Sequence, residues 1–406
     1  MEGRRRVEWD SRDSSGVSMS AVAIDRPRLP ALTSVRFFAA LWVATFHMRV
    51  MNAFSFHDVV VRHVSSIGYC GVSFFFVLSG FILVYMYEDR GASKRDFWQA
   101  RFARIYPALA FCLLVTAPGF FFVCLRMRAH DPQIFTPEWY WVAPHMALSA
   151  IMSLTLVEAW LPQAALAWNM PNWSLSVEAF FYLLFPFLLP WMSRLSRRQL
   201  IAIIPAGWLA TLICALAYMH FQPDGPVTTK TVGFWINGLK FHPLLRLPEF
   251  LSGMATGLLF LRSRRNRRLA WPLVLCGLAG VALVAALSAR IPYLVIHTAL
   301  LGPAFALIVC GLALRPAGLG LLEHRSMQAL GEASYPFYLL HTTVIAAFFG
   351  GYGTPVRHQS LTGLAMWLLI ASAVALLIDR FIERPLRRIL RPRRRALQIV
   401  AQTSPA

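Results

Sequence analysis

Arg36 and His47 lie in one apolar segment, Arg36-Phe-Phe-Ala-Ala-Leu-Trp-Val-Ala-Thr-Phe-His47. A guanidinium stays charged and can hold an anion, whereas an imidazole can take and give a proton near neutrality. On an α-helix the eleven-residue step turns through about 1100°, which leaves both side chains within about 20° of one face and about 16 Å apart along the axis. Ionisable residues inside an apolar helix are expensive and face a bundle interior or a water-filled cavity. Two on one stripe read as a polar track, with a fixed cation at one end and a proton-transfer group further in. The plainer reading is that Arg36 snorkels to the lipid head groups and His47 caps the far end of the helix. The segment by itself leaves both open.

Five other stretches break the apolar rule. Gly71-Val-Ser-Phe-Phe-Phe-Val-Leu-Ser-Gly80 supplies small residues, which ordinarily serve close helix packing. Arg101-Phe-Ala-Arg104-Ile-Tyr106-Pro107 is either a basic flank with Pro near a helix start or an anion clamp at the same mouth as Arg36, since planar guanidinium groups suit phosphate. In Trp173-Ser174-Leu-Ser-Val-Glu178 the carboxylate either complements its own helix N-terminus or hydrogen-bonds a histidine and sets its basicity. Arg246-Leu-Pro-Glu249 places opposite charges three residues apart, as in a structural ion pair. Ser334-Tyr-Pro-Phe-Tyr338-Leu-Leu-His341 puts Tyr338 and His341 on one helix face with Glu332 nearby.

These residues must be positioned by membrane helices. The 406-residue chain is 57% hydrophobic and 14% charged, with mean hydropathy +0.54. Its apolar runs mostly have the length of the hydrocarbon core, which excludes a soluble domain. The expected fold is all-α, a polytopic transmembrane bundle. The net charge of +20 is gathered in short clusters beside apolar segments, which points to a lipid bilayer and away from nucleic acid. With both termini in the cytosol, 28 Lys and Arg fall in inside connections and 9 in outside ones. That orientation requires an even number of crossings between the basic connections 88–104 and 194–198, although three apolar segments separate them. The segment 139–160, with Pro144, His145 and Glu158, is therefore expected to be a re-entrant or interfacial piece buried against protein, leaving about ten spans. Residues 1–30 read as a disordered cytosolic tail without a secretory signal, 31–390 as the membrane domain and 391–406 as a basic cytosolic tail. The six cysteines lack paired spacing, so no disulfide framework or metal site is expected.

Taken together, the Arg36-to-His47 spacing, Arg104-Ile-Tyr-Pro107, Trp173-Ser-Leu-Ser-Val-Glu178 with Phe180-Phe-Tyr-Leu-Leu-Phe-Pro186, Leu330-Gly-Glu-Ala-Ser-Tyr335 with His341, and Glu383-Arg-Pro385 resemble the acyltransferase type 3 family of integral-membrane O-acyltransferases. The family often carries an acid after Gly-Val in the second span, where this chain has Ser73. The resemblance implies a donor such as acyl-CoA, acetyl-CoA above all, acting as co-substrate from the cytosol with no resident cofactor. It also implies a carbohydrate or glycolipid acceptor, an address in a bacterial inner membrane, and essential roles for Arg36 and His47. On this reading a cationic mouth of Arg36, Arg101 and Arg104 holds the donor phosphates, and the donor arm extends along the track. His47 then acts as general base or acyl carrier, helped by Glu178. Tyr106, Trp173, Ser174, Tyr338 and His341 complete the expected substrate contacts. The competing reading is a transporter or flippase with His and Glu on a substrate or proton path; the internal repeat common in such folds is not evident here.

Overall fold

A computed structural model of the chain describes residues 26–89, 93–129, 139–227, 231, 233–298, 300–349 and 360–391. Most of both terminal tails, and the connection 350–359, lie outside the described residues. In chain order the helices are α1 Pro30–Val50, α2 Val59–Ser66, α3 Cys70–Tyr87, α4 Lys94–Arg128, α5 Trp139–Val142, α6 Met146–Leu154, α7 Trp173–Met192, α8 Arg197–Phe221, α9 Phe234–Phe241, α10 Pro243–Arg262, α11 Ala270–Ala286, α12 Tyr293–His297, α13 Gly302–Ala313, α14 Gly320–Glu323, α15 Arg325–Glu332, α16 Ser334–Phe349, α17 Leu361–Ile378 and α18 Arg384–Leu390. No strand occurs among the described residues.

Nine helical stretches among the described residues are long and apolar enough to cross a membrane. Helix α16, at 16 residues, is shorter and lies largely buried between α1, α4 and α17. The sequence predicts about ten spans; nine stretches among the described residues meet the requirement. The segment 139–160 forms only the short helices α5 and α6 and a 3-10 turn at Glu158–Trp160. None of these is long enough to span, because Pro144 and the left-handed Leu156 (φ 59°) interrupt the helix.

Local sequence explains the helix starts. Pro30 occupies the first turn of α1, where its missing N–H costs nothing. Ser93 caps α4 by accepting from Asp96 N, and Ser196 with Gln199 forms a capping box on α8. Helix α3 is the central post. Its residues Gly80 and, on the facing α10, Gly253 let the two backbones meet: a Cβ at Gly80 would fall on Phe250 O, and one at Gly253 on Val77 O. Gly80 of the second span thus serves packing. The outer helices α8, α11 and α17 are mostly unburied and display apolar side chains such as Ile213, Leu275 and Leu369. Helices buried among their neighbours therefore surround α1 and α3, and the apolar outer faces suit a bilayer.

Candidate active site

A cavity of about 190 Å3 opens among α1, α3, α4, α7 and α16. Arg36, Arg101, Arg104, Ser174, Glu178 and Tyr338 all line it, together with Ser79, Tyr182 and Tyr335. Apolar walls come from Phe75, Phe76, Ile82 and Leu83. Four helices far apart in sequence, α1, α4, α7 and α16, thus bring six of the expected site residues to one place.

The mouth is built from cations with different degrees of commitment. Arg101 donates to Tyr87 Oη at 3.3 Å, and its guanidinium lies 5.6, 5.8 and 5.7 Å from the ring centres of Tyr87, Phe97 and Tyr182. Its Nε is buried without a hydrogen-bond partner. Arg36 feels the opposite charge of Glu178 and the like charge of Arg387. Arg104 donates to Glu383, which also accepts from Arg387 at 3.4 Å. Glu383 closes a π-helical turn, Asp379–Glu383, between α17 and α18. The turn carries one extra residue in its hydrogen-bonded ring, a distortion frequent at functional sites. It places Asp379 and Glu383 inward, while Arg384 reaches Asp379 at 2.7 Å and Glu332 at 2.8 Å. The sequence reading missed Glu383 as a partner of the mouth, because nothing local links it to a residue 279 positions away.

Deeper in, Glu178 accepts from Ser79 Oγ at 3.3 Å and from the Tyr182 hydroxyl. The Tyr182 contact follows from the four-residue step on α7. The cavity ends where Tyr338 Oη meets Ser174 Oγ at 2.9 Å, both within reach of Pro171 O.

Here the structure departs from the expected track in five respects. His47 does not line the cavity, although Arg36 on the same helix does. Its ring lies beyond Tyr338, with Nδ1 3.0 Å from Val43 O and 3.0 Å from His341 Nε2. The expected help from Glu178 to His47 is corrected: the partner of His47 is His341, because α7 turns its carboxylate toward α3 and the cavity. His341 is correspondingly not a cavity contact; it is sealed at 1% exposure, and its Nδ1 lies 2.6 Å from Tyr338 O. Tyr106 stacks on Phe102 (4.7 Å, 18°) away from the cavity, since the two share one face of α4. Trp173 is buried under Arg246 (5.5 Å) and beside Phe241 (4.8 Å), in a separate polar cluster. In that cluster Arg246 pairs with Glu249 at 3.2 Å, the structural ion pair that the spacing suggested. No group of His, Cys, Asp and Glu that could hold a metal ion occurs among the described residues.

A polar, cation-lined cavity that stops one helical turn short of a histidine pair suits an anionic substrate with a reactive group at its inner end, next to a group able to move a proton. Comparison with known proteins narrows the chemistry. A family profile described as an acyltransferase domain matches residues 29–378. Acyltransferase MdmB of Streptomyces mycarofaciens is 31% identical over 384 residues, covering 90% of this chain and 94% of that protein. Exopolysaccharide production protein ExoZ of Rhizobium meliloti (strain 1021) is 27% identical over 350 residues, covering 82% of this chain and 93% of that protein. O-acetyltransferase OatA of Staphylococcus aureus (strain NCTC 8325 / PS 47) is 22% identical over 383 residues; the match takes in 89% of this chain and only 57% of OatA. No solved structure matches the chain.

Proposed function

Because the chain belongs to this acyltransferase family, we propose that it moves an acyl group, acetyl first among them, from acyl-CoA to a hydroxyl of a carbohydrate or glycolipid. The enzyme would sit in a bacterial inner membrane with both termini in the cytosol, as the distribution of basic residues suggests. The observation that carries the reading is the cavity: it joins Arg36, Arg101 and Arg104 at the basic end to Tyr338, one turn of α16 before His341. The names of OatA and ExoZ, an O-acetyltransferase and an exopolysaccharide production protein, favour an oxygen acceptor on a glycan.

On this reading the nucleotide phosphates of the donor stay at the mouth, held by Arg36 and the spare N–H of Arg101. Arg104 keeps Glu383 as its counter-ion and contributes its remaining donors. The slender pantetheine arm lies between the aromatic and aliphatic walls. The acceptor hydroxyl gives its proton to His47 as its oxygen bonds the thioester carbonyl carbon. The carbon–sulfur bond then breaks, and the departing sulfur takes that proton to leave as the free thiol. Tyr338 lines the cavity with its ring 5.7 Å from that of His341, so on this reading its side chain swings aside for the acyl carbon to reach His47. Glu178, fixed by Ser79 and Tyr182, balances Arg36 and serves the donor side.

The test is purified protein in liposomes with labelled acetyl-CoA and a crude acceptor extract. Wild type should transfer label, and His47→Ala should lose about two to four orders of magnitude in rate while inserting normally. Equal transfer by both would remove His47 from the chemistry. No transfer by wild type, with gradient-driven solute uptake instead, would replace the enzyme by a transporter.

A further inference from the structure

We propose that His341 is a positioning residue that fixes the tautomer and ring orientation of His47; the inference rests on the reading of His47 as the base. A backbone carbonyl can only accept, so the 2.6 Å approach of His341 Nδ1 to Tyr338 O places a hydrogen on that nitrogen. A neutral imidazole carries one N–H, which leaves His341 Nε2 a bare lone pair. That lone pair points at His47 Nδ1 from 3.0 Å, and Val43 O points at the same atom from 3.0 Å. Two acceptors converge on one nitrogen, so His47 Nδ1 must carry its hydrogen. His47 Nε2 is then unprotonated, the form that a general base needs. The opposite tautomer would set a lone pair of His47 against two others.

Val43 O by itself would satisfy the hydrogen, but it belongs to the same helix and already receives the His47 backbone N–H in the α-helical ladder. His341 comes from α16 and pins the ring from outside α1, with the two ring centres 4.9 Å apart. When His47 gains the acceptor proton, the positive imidazolium donates from Nδ1 to two acceptors, and hydrogen bonds from a charged donor are the stronger kind. His341 is sealed from solvent and absent from the cavity wall, so it cannot act by touching a donor held there. The chain Tyr338 O, His341, His47 therefore delivers its effect to the proton-transfer step alone.

The experiment compares His341→Leu and His341→Gln with wild type in the label-transfer assay, together with the nitrogen NMR spectrum of protein labelled at histidine, in which His47→Ala assigns the His47 signals. The leucine variant should lose about ten- to a hundredfold in kcat, the worth of one hydrogen bond to a charged group, with donor KM unchanged. The glutamine variant can place its amide oxygen near the Nε2 position and should recover most of that loss. In wild type the protonated nitrogen of His47 should be Nδ1, and in His341→Leu the spectrum should broaden or mix tautomers. A raised donor KM with unchanged kcat would make His341 a substrate contact. A wild-type His47 protonated at Nε2 would overturn the tautomer outright. Full activity of His47→Ala would instead sink the base assignment, which the nitrogen spectrum does not depend on.

Discussion

Arginines are embedded among apolar helices at both ends of the bundle, and the two ends use them differently. Arg246 is 3% exposed and makes four hydrogen bonds, to Lys240 O, Glu249 Oε1, His297 O and His297 Nδ1, with Trp173 beneath it. Four of its five donors are committed to protein, and it does not line the cavity that Arg36 and Arg101 share. At the other end Arg36 and Arg101 line open space, and Arg101 keeps a buried N–H without a partner. A cation whose donors are spent internally holds helices together. One with donors to spare beside a cavity is available to a ligand. Residue type and helix placement do not separate these cases; the inventory of partners does.

Three substitutions test that contrast, beginning with the largest expected effect. Arg246→Leu strands the carboxylate of Glu249 inside the bundle and should lower stability by about 3–5 kcal/mol, the usual consequence of breaking a buried pair. Unfolding of the detergent-solubilised protein would register it, and adding Glu249→Leu should restore much of the loss. Unchanged stability in Arg246→Leu would dissolve the contrast, since both ends would then hold dispensable charges.

Arg36→Ala should leave the unfolding transition near wild type while raising donor KM about ten- to a hundredfold, as expected for the loss of a contact between charged groups. Arg36→Lys should recover only part, because an ammonium lacks the planar fork. A fall in stability without a change in KM would place Arg36 with Arg246.

Tyr182→Phe removes one of the hydroxyls that Glu178 accepts from and keeps the ring on which Arg101 lies. The expected effect is the smallest, about two- to tenfold in donor KM, as for one ordinary hydrogen bond. An effect on kcat alone would instead tie Glu178 to the histidines.

Much of the site was legible because it lies along single helices. The Arg246–Glu249 pair follows from helical periodicity, and so does the placing of Arg36 and His47 on one helix, although only Arg36 lines the cavity. The polytopic helical class followed from the length of the apolar segments, and the break at 139–160 is consistent with its proline. The differences lie where a side chain had to be assigned to a neighbour. Glu178 was given to His47 because both are polar and intramembrane, yet it meets Ser79 of α3. Tyr106 and Trp173, expected as substrate contacts, lie off the cavity beside Arg104 and Ser174, which line it, because successive residues on a helix point in different directions.

The sequence by itself determined the helical membrane class, the family and the residues that share a helix face, because each is written in composition or in a repeat a few residues long. Only the tertiary structure decided the partners: His341 for His47 across 294 positions, Glu383 for Arg104 across 279, and Tyr338 as the end of the cavity. Those pairings depend on how helices rotate and approach one another, which contacts such as Gly80 on Phe250 O and Gly253 on Val77 O set. Such close approaches leave no periodic mark on the chain, so the direction in which a buried carboxylate or imidazole looks is settled by packing.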